Sequence, residues 1–219
     1  MIYTLFCSIA CLEDVHVGSG MENETGHAML PRSGEACVIP GSTLKGMVRC
    51  AVEYLHRNDP QEDYCFILVS RRPPNMRWLG RLQRRLGLHK LPKGPCREKI
   101  CRICSLFGKP FHASKVFFSD AMPPPGFVPK VVRSRFGQME VFPKGTELRF
   151  KIQTKDIDEE GLNLLLEGLR GLGSNWKHFL GLKKYDHLEK GGNVRLRVEK
   201  IDGLPDWSSR ELREVAVPA

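Results

Sequence analysis

The sequence predicts an α+β fold, a modified ferredoxin-like or RRM-like domain of order βαββαβ with one large insertion after its first helix. Apolar residues alternate with period two in "TELRFKIQT" (146–154) and "NVRLRVEKI" (193–201), as in half-buried strands. They recur with helical period after "VIPGS" and again after Asp158. Between the first helix and the next strand, residues 58–113 follow neither period and hold most of the clustered basic and metal-type side chains.

Residues 2–10, "IYTLFCSIA", are rich in strand formers and predict a buried strand. "VHVGSGMENETGHAMLPRSGEA" carries Gly, Ser, Asn and Pro throughout and reads as a long loop. In "VIPGSTLKGMVR", Pro40-Gly41 makes a turn, with Ser42 or Thr43 as N-cap. Leu44, Met47, Val48, Ala51, Val52 and Leu55 then form one apolar face of a helix running to about Arg57, with Lys45 and Arg49 one turn apart on its polar side. After the 58–113 insertion, "KVFFSDA" (115–121) is a strand ending in a turn, and residues 122–145 open with the proline-rich "MPPPGFVPK" as a short excursion. Asp158 caps a second helix bearing Leu162, Leu165, Leu166 and Leu169, which ends near Gly171 and Gly173. A loop rich in Gly, Lys and His leads to the last strand, and no fixed-period repeat interrupts this reading of residues 1–219 as a single domain.

A chain of 219 residues can bury a sizeable core, and 41% hydrophobic with 27% charged content is that of an ordinary globular protein. No run of eighteen apolar residues predicts a membrane span. The start lacks a basic leader and soon carries Glu13 and Asp14, so no secretory signal is expected and a cytoplasmic location is. There, clustered cysteines serve metal binding more often than disulfides. The formal charge is +9. From Arg71 to Lys109, twelve Lys or Arg face a single acid, Glu98, which leaves the rest of the chain slightly negative. Such a block points to a polyanionic partner, nucleic acid above all.

The sharpest local motif is "HKLPKGPCREKICRICSLFG", with His89, Cys96, Cys101 and Cys104. A CxxC pair lets two thiolates converge from a tight turn, and two further ligands complete a tetrahedron. Four protein ligands leave no open position, so this zinc would be structural and would hold a basic insertion together. His112 or Cys65 could replace His89, and buried free thiols are the alternative. No strand pattern supports a redox CxxC, and the His-x-Glu of a zinc deaminase is missing. "GSTLKG" lacks the spacing of a nucleotide-binding P-loop. It offers helix-start N–H groups, the hydroxyls of Ser42 and Thr43, and the cations Lys45 and Arg49. These residues alone fit a capped helix and a phosphate site equally.

"VHVGSG", "VIPGSTLKGMVRCAVEYL", "CRICSLFG" and "VFFSDA", in that order, resemble the RAMP superfamily of CRISPR-associated proteins. The match is nearest to the backbone subunits of type III effector complexes, clear over about residues 1–155 and weaker beyond, with "VFPKGTELRFKI" also matching a later family strand. The resemblance implies a modified RRM fold with a structural zinc that binds CRISPR RNA along its backbone, positions the guide–target duplex, and stacks with copies or paralogues and other effector subunits in antiviral defence. It places His16, Gly18, Ser19, Ser42, Thr43, Lys45 and Arg49 at the guide, with Arg133 and Arg135 (beside Val131) on a thumb-like excursion over 122–145. In the last third, Lys183 and Lys184 are the RNA candidates, with Lys177 and His178 beside them. Subunits of this kind that cut target RNA carry an aspartate in the loop before the "IPGS" helix. Here that loop, "MENETGHAMLPRSGEA", has none, and Glu22, Glu24 or His27 are the candidates to stand in for it, Glu24 the nearest in chemistry. The reading therefore leans to a binding subunit over an endoribonuclease acting on target or guide precursor. The family's glycine-rich turn before its final strand is also not clearly present, with Gly191-Gly192 as a remnant.

Overall fold

The computed structural model describes residues 1–24, 26–56, 96, 100–134, 137–171, 178–179 and 192–203. In chain order these form β1 (Thr4–Cys11), β2 (Arg32–Ser33), β3 (Ala36–Cys37), α1 (Gly41–Leu55), α2 (Arg102–Phe107), β4 (Val116–Phe118), β5 (Lys130–Ser134), β6 (Gly137–Val141), β7 (Glu147–Thr154), α3 (Glu159–Arg170), β8 (His178–Phe179) and β9 (Asn193–Asp202). The main sheet has the order β4-β7-β1-β9-β8, with every neighbour antiparallel. Apart from the two-residue edge strand β8, this is the ferredoxin-like arrangement, with β1 and β7 at the centre. The fold is α+β and RRM-like, as the order of elements predicts.

Strict alternation makes the sheet two-faced. Leu148, Phe150, Ile152 and Thr154 of β7 are buried while Glu147, Arg149, Lys151 and Gln153 are exposed. Leu5, Cys7, Ile9 and Cys11 of β1 and Val194, Leu196 and Val198 of β9 complete the buried face. Against it pack Leu44, Val48, Ala51 and Val52 of α1 and Leu162, Leu165, Leu166 and Leu169 of α3. Each fully buried leucine contributes on the order of 1.5–3 kcal/mol, so this layer holds the fold together. Where α1 crosses α3, Gly168 lets the helices close up: a Cβ there would lie 2.5 Å from Val52 Cγ2 and 3.0 Å from the Val48 carbonyl oxygen.

Asp158 caps α3 as expected, accepting the Gly161 N–H at 2.8 Å. The start of α1 differs. Its N-cap is Pro40, and neither Ser42 nor Thr43 caps it. The long loop after β1 has more structure than its composition suggests. Val15 and Phe142 exchange both backbone hydrogen bonds at 2.8 Å, and Ala28 bonds to Gln138 and Glu140 beside β6. Within 122–145, β5 and β6 form a hairpin paired as far as Ser134 and Gly137. The pairings of Val15 with Phe142 and of Ala28 with β6 join residues more than a hundred positions apart, so local composition does not reveal them. The stretch 57–95, with most of the basic block, lies outside the described residues, and α2 is the described helix within the predicted insertion. Among the described residues, no helix is long and apolar enough to cross a membrane.

Candidate nucleic-acid interface and metal centre

"VIPGS" and "FSDA" fold against each other. Ile39 and Ala121 exchange backbone hydrogen bonds at 3.1 and 2.9 Å. The first residue of α1, Gly41, then presses on the end of β4: a Cβ on it would lie 2.0 Å from the Phe118 carbonyl oxygen and 2.9 Å from that of Ser119. The Gly41 N–H donates to Asp120 Oδ1 at 2.8 Å. Asp120 thus supplies, from 79 residues downstream, the anionic cap that the local sequence lacks. Thr43 N–H and Leu44 N–H both donate to the Pro40 carbonyl. A carboxylate already sits at this helix start, and the amides offer a phosphate much less than the sequence suggests.

The polar side of α1 offers more. Ser42, Lys45, Gly46 and Arg49 follow at helical spacing away from the core, with Ser42 and Gly46 exposed and Lys45 and Arg49 half-buried. Thr43, half-buried, lies beside them. Arg49 turns inward: its guanidinium donates to Glu53 Oε1 at 2.7 Å, to the Gly108 carbonyl at 2.6 Å and to Cys104 Sγ at 3.3 Å. Burial disfavours its charge, but Glu53 and then Cys104 outweigh this and raise its pKa. Lys45 has no ion-pair partner among the described residues. Burial, and secondly the neighbouring Arg49 charge, lower its pKa. Lys45 is thus a half-buried cation not matched by an ion pair among the described residues, whereas Arg49 is matched by Glu53. Gly46 also stands out, since a Cβ on it would meet nothing within 4 Å. Glycine inside a helix costs about 1 kcal/mol relative to alanine, and no packing neighbour among the described residues requires it here.

Arg49 leads to the thiols. Cys96, Cys101 and Cys104 bring their sulfurs within 4.8 Å of one another, close to the roughly 3.8 Å spacing on a tetrahedron with ~2.3 Å metal–sulfur bonds. Cys101 caps α2 and accepts the Cys104 N–H, and Cys96 Sγ accepts the Cys101 N–H, each at 3.4 Å. Lys109 Nζ holds the Cys96 carbonyl at 2.7 Å. Three thiols surrounded by N–H and cationic donors are a set suited to thiolates and a soft divalent metal. Other cysteines are unlike them: burial pushes the Cys11 thiol up to about 12 and raises Cys7 and Cys37 as well, which makes them core thiols. Among the fourth-ligand candidates, His89 and Cys65 lie outside the described residues. His112 follows the Lys109 turn, and its Nε2 is buried without a hydrogen-bond partner among the described residues, though it is not within the 4.8 Å group.

The remaining sequence candidates are spread over the glycine-rich segment and the hairpin. His16 Nδ1 lies 2.7 Å from the Glu140 carbonyl, Gly18 is exposed, and Ser19 Oγ donates to the Met29 carbonyl at 2.9 Å. Glu24 and His27 share one tight turn, closed by Asn23 through the His27 N–H at 2.8 Å, with Glu24 exposed. Arg133 is exposed on β5, whereas Arg135, Lys177, Lys183 and Lys184 lie outside the described residues and His178 is placed by its backbone on β8. Sequence reasoning missed Asp120 and Gly46. Asp120 could not be found from local pattern, but an unforced glycine inside an amphipathic helix was a readable signal.

A family model for the RAMP superfamily matches residues 8–182. No curated protein matches the chain.

Proposed function

Because the chain belongs to the RAMP superfamily, which implies a CRISPR-related RNA-binding role, we propose that it is a guide-RNA-binding backbone subunit of a type III-like effector complex. It lays the sugar–phosphate backbone of the guide along the polar side of α1 and assembles with copies of itself or paralogous subunits. The observation that carries this reading is Lys45, half-buried, next to Arg49 and without an ion-pair partner among the described residues. Gly46 lets the RNA backbone approach the helix closely, and Ser42 and Thr43 add hydroxyl donors. Arg49 serves here as a strut between α1 and the thiol cluster, which holds a structural zinc. Such contacts grip any guide sequence, and base pairing reads the target.

Two substitutions test this. Lys45→Ala should weaken guide binding about tenfold at low salt and reduce the slope of log affinity against log salt by about one, measured by anisotropy titrations. Gly46→Ala should have opposite effects on fold and function. It should stabilise the protein by about 0.5–1 kcal/mol in urea unfolding while weakening guide binding. A Gly46→Ala protein that gains stability and binds guide unchanged would show that no ligand approaches this helix. Protein co-expressed with a guide that purifies free of RNA would sink the reading as a whole.

A further inference from the structure

The sheet face opposite α1 and α3 is not used by the reading above. Its outward positions form rows across three central strands. Lys151 of β7 and Lys200 of β9 flank Phe6 of β1, and in the next row Arg149 and Arg197 flank Ser8. A third row pairs Glu147 with Arg195 across Ala10. Strand geometry puts the rows about 7 Å apart and the two columns of cations about 10 Å apart, with β1 as the floor between them. Both lysine ammoniums rest over the Phe6 ring, at 5.1 and 5.6 Å from its centre. Phe117 on β4, one row along, is 52% exposed.

Arg149, Lys151, Arg195 and Arg197 have no ion-pair partner among the described residues. Lys200 meets Asp202 at 2.7 Å, an exposed pair of small worth. The paired positions of the central two rows hold four cations and no acid, with the exposed Glu199 set at the irregularity of β9 between Arg197 and Lys200. Exposed cations gathered on one face raise a positive potential that attracts a polyanion. Cations alone would suit any polyanion, an acidic polypeptide included. Aromatic rings set into the same surface favour a polymer that offers a flat base for every phosphate.

We propose that this open face is a second binding surface for single-stranded RNA, with Phe6 and Phe117 stacking bases and Arg149, Lys151, Arg197 and Lys200 holding phosphates. It goes beyond the helix-stripe reading and does not depend on it. The two surfaces lie on opposite sides of the sheet, so a segment on one is distinct from a segment on the other. When a base stacks on Phe6, it displaces the two ammoniums from the ring and frees them for the flanking phosphates.

The test uses the full-length chain and a short fluorescein-labelled oligouridine, titrated over a range of salt, with a 4-thiouridine version for photocrosslinking. The double variant Lys151→Gln/Arg197→Gln changes two exposed side chains, and circular dichroism checks its fold. It should lose about tenfold in affinity and about two in salt slope. Crosslinks should fall on the peptides holding Phe6 or Phe117, and polyglutamate should compete poorly. Unchanged affinity in the double variant, with loss in Lys45→Ala, overturns this proposal and leaves the helix stripe standing; the reverse pattern does the opposite. Equal competition by polyglutamate overturns it in favour of an acidic protein partner, and indifference of both variants overturns both surfaces.

Discussion

Gly41→Ala is expected to destabilise the protein by about 3 kcal/mol or more, lowering the melting temperature by roughly 6–12 °C. The added methyl would meet the carbonyl oxygens of Phe118 and Ser119, at 2.0 and 2.9 Å. Phe118 pairs with β7 and the Ser119 N–H donates to the Lys151 carbonyl, so both are held backbone and no side chain can swing aside. Relief requires α1 to move off the sheet, which breaks the Ile39–Ala121 bridge and the Gly41 bond to Asp120 together. Thermal and urea unfolding would measure this, with Gly46→Ala as control in the same helix and of opposite sign. A Gly41→Ala protein as stable as the parent would mean that α1 does not start against β4.

Removal of metal has the second largest expected effect. The purified chain should carry about one zinc by elemental analysis, and stripping it or introducing Cys104→Ser should cost an amount comparable to a lost native cross-link, about 2–5 kcal/mol. The main β-sheet has its own core and should survive. α2 and the turn at Lys109–His112 should lose hydrogen-exchange protection first, because Cys101 caps that helix and Lys109 is tied to Cys96. Guide affinity should fall too, since Arg49 loses its hold on Cys104 and Gly108. If chelator changes neither melting nor exchange in α2, the cluster is packed thiols and nothing more.

The long elements were legible in the sequence because their period matches what they bury. β7 alternates without a break, and α3 begins at the very aspartate that its pattern required. The start of α1 was not legible, since its cap comes from Asp120 and its glycine is demanded by Phe118, far along the chain. Arg49 lies on the polar stripe by spacing, yet its guanidinium turns to Glu53 and Cys104, a choice set by packing of α2. The outward cations of β7 and β9 are plain in "TELRFKIQT" and "NVRLRVEKI". Their meaning depended on β1 lying between those strands, and pairing order is not written in either segment.

The junction of Ile39–Gly41 with Phe118–Ala121 also bears on what a change of chain length costs this protein. It brings the start of α1 and the end of β4 to one point, so the chain between them is already closed at its ends. Doubling the length of such a loop costs only about 0.6 kcal/mol in closure entropy. A change in the length of the chain between these two flanks is therefore expected to leave the sheet intact, because the junction already holds their ends together.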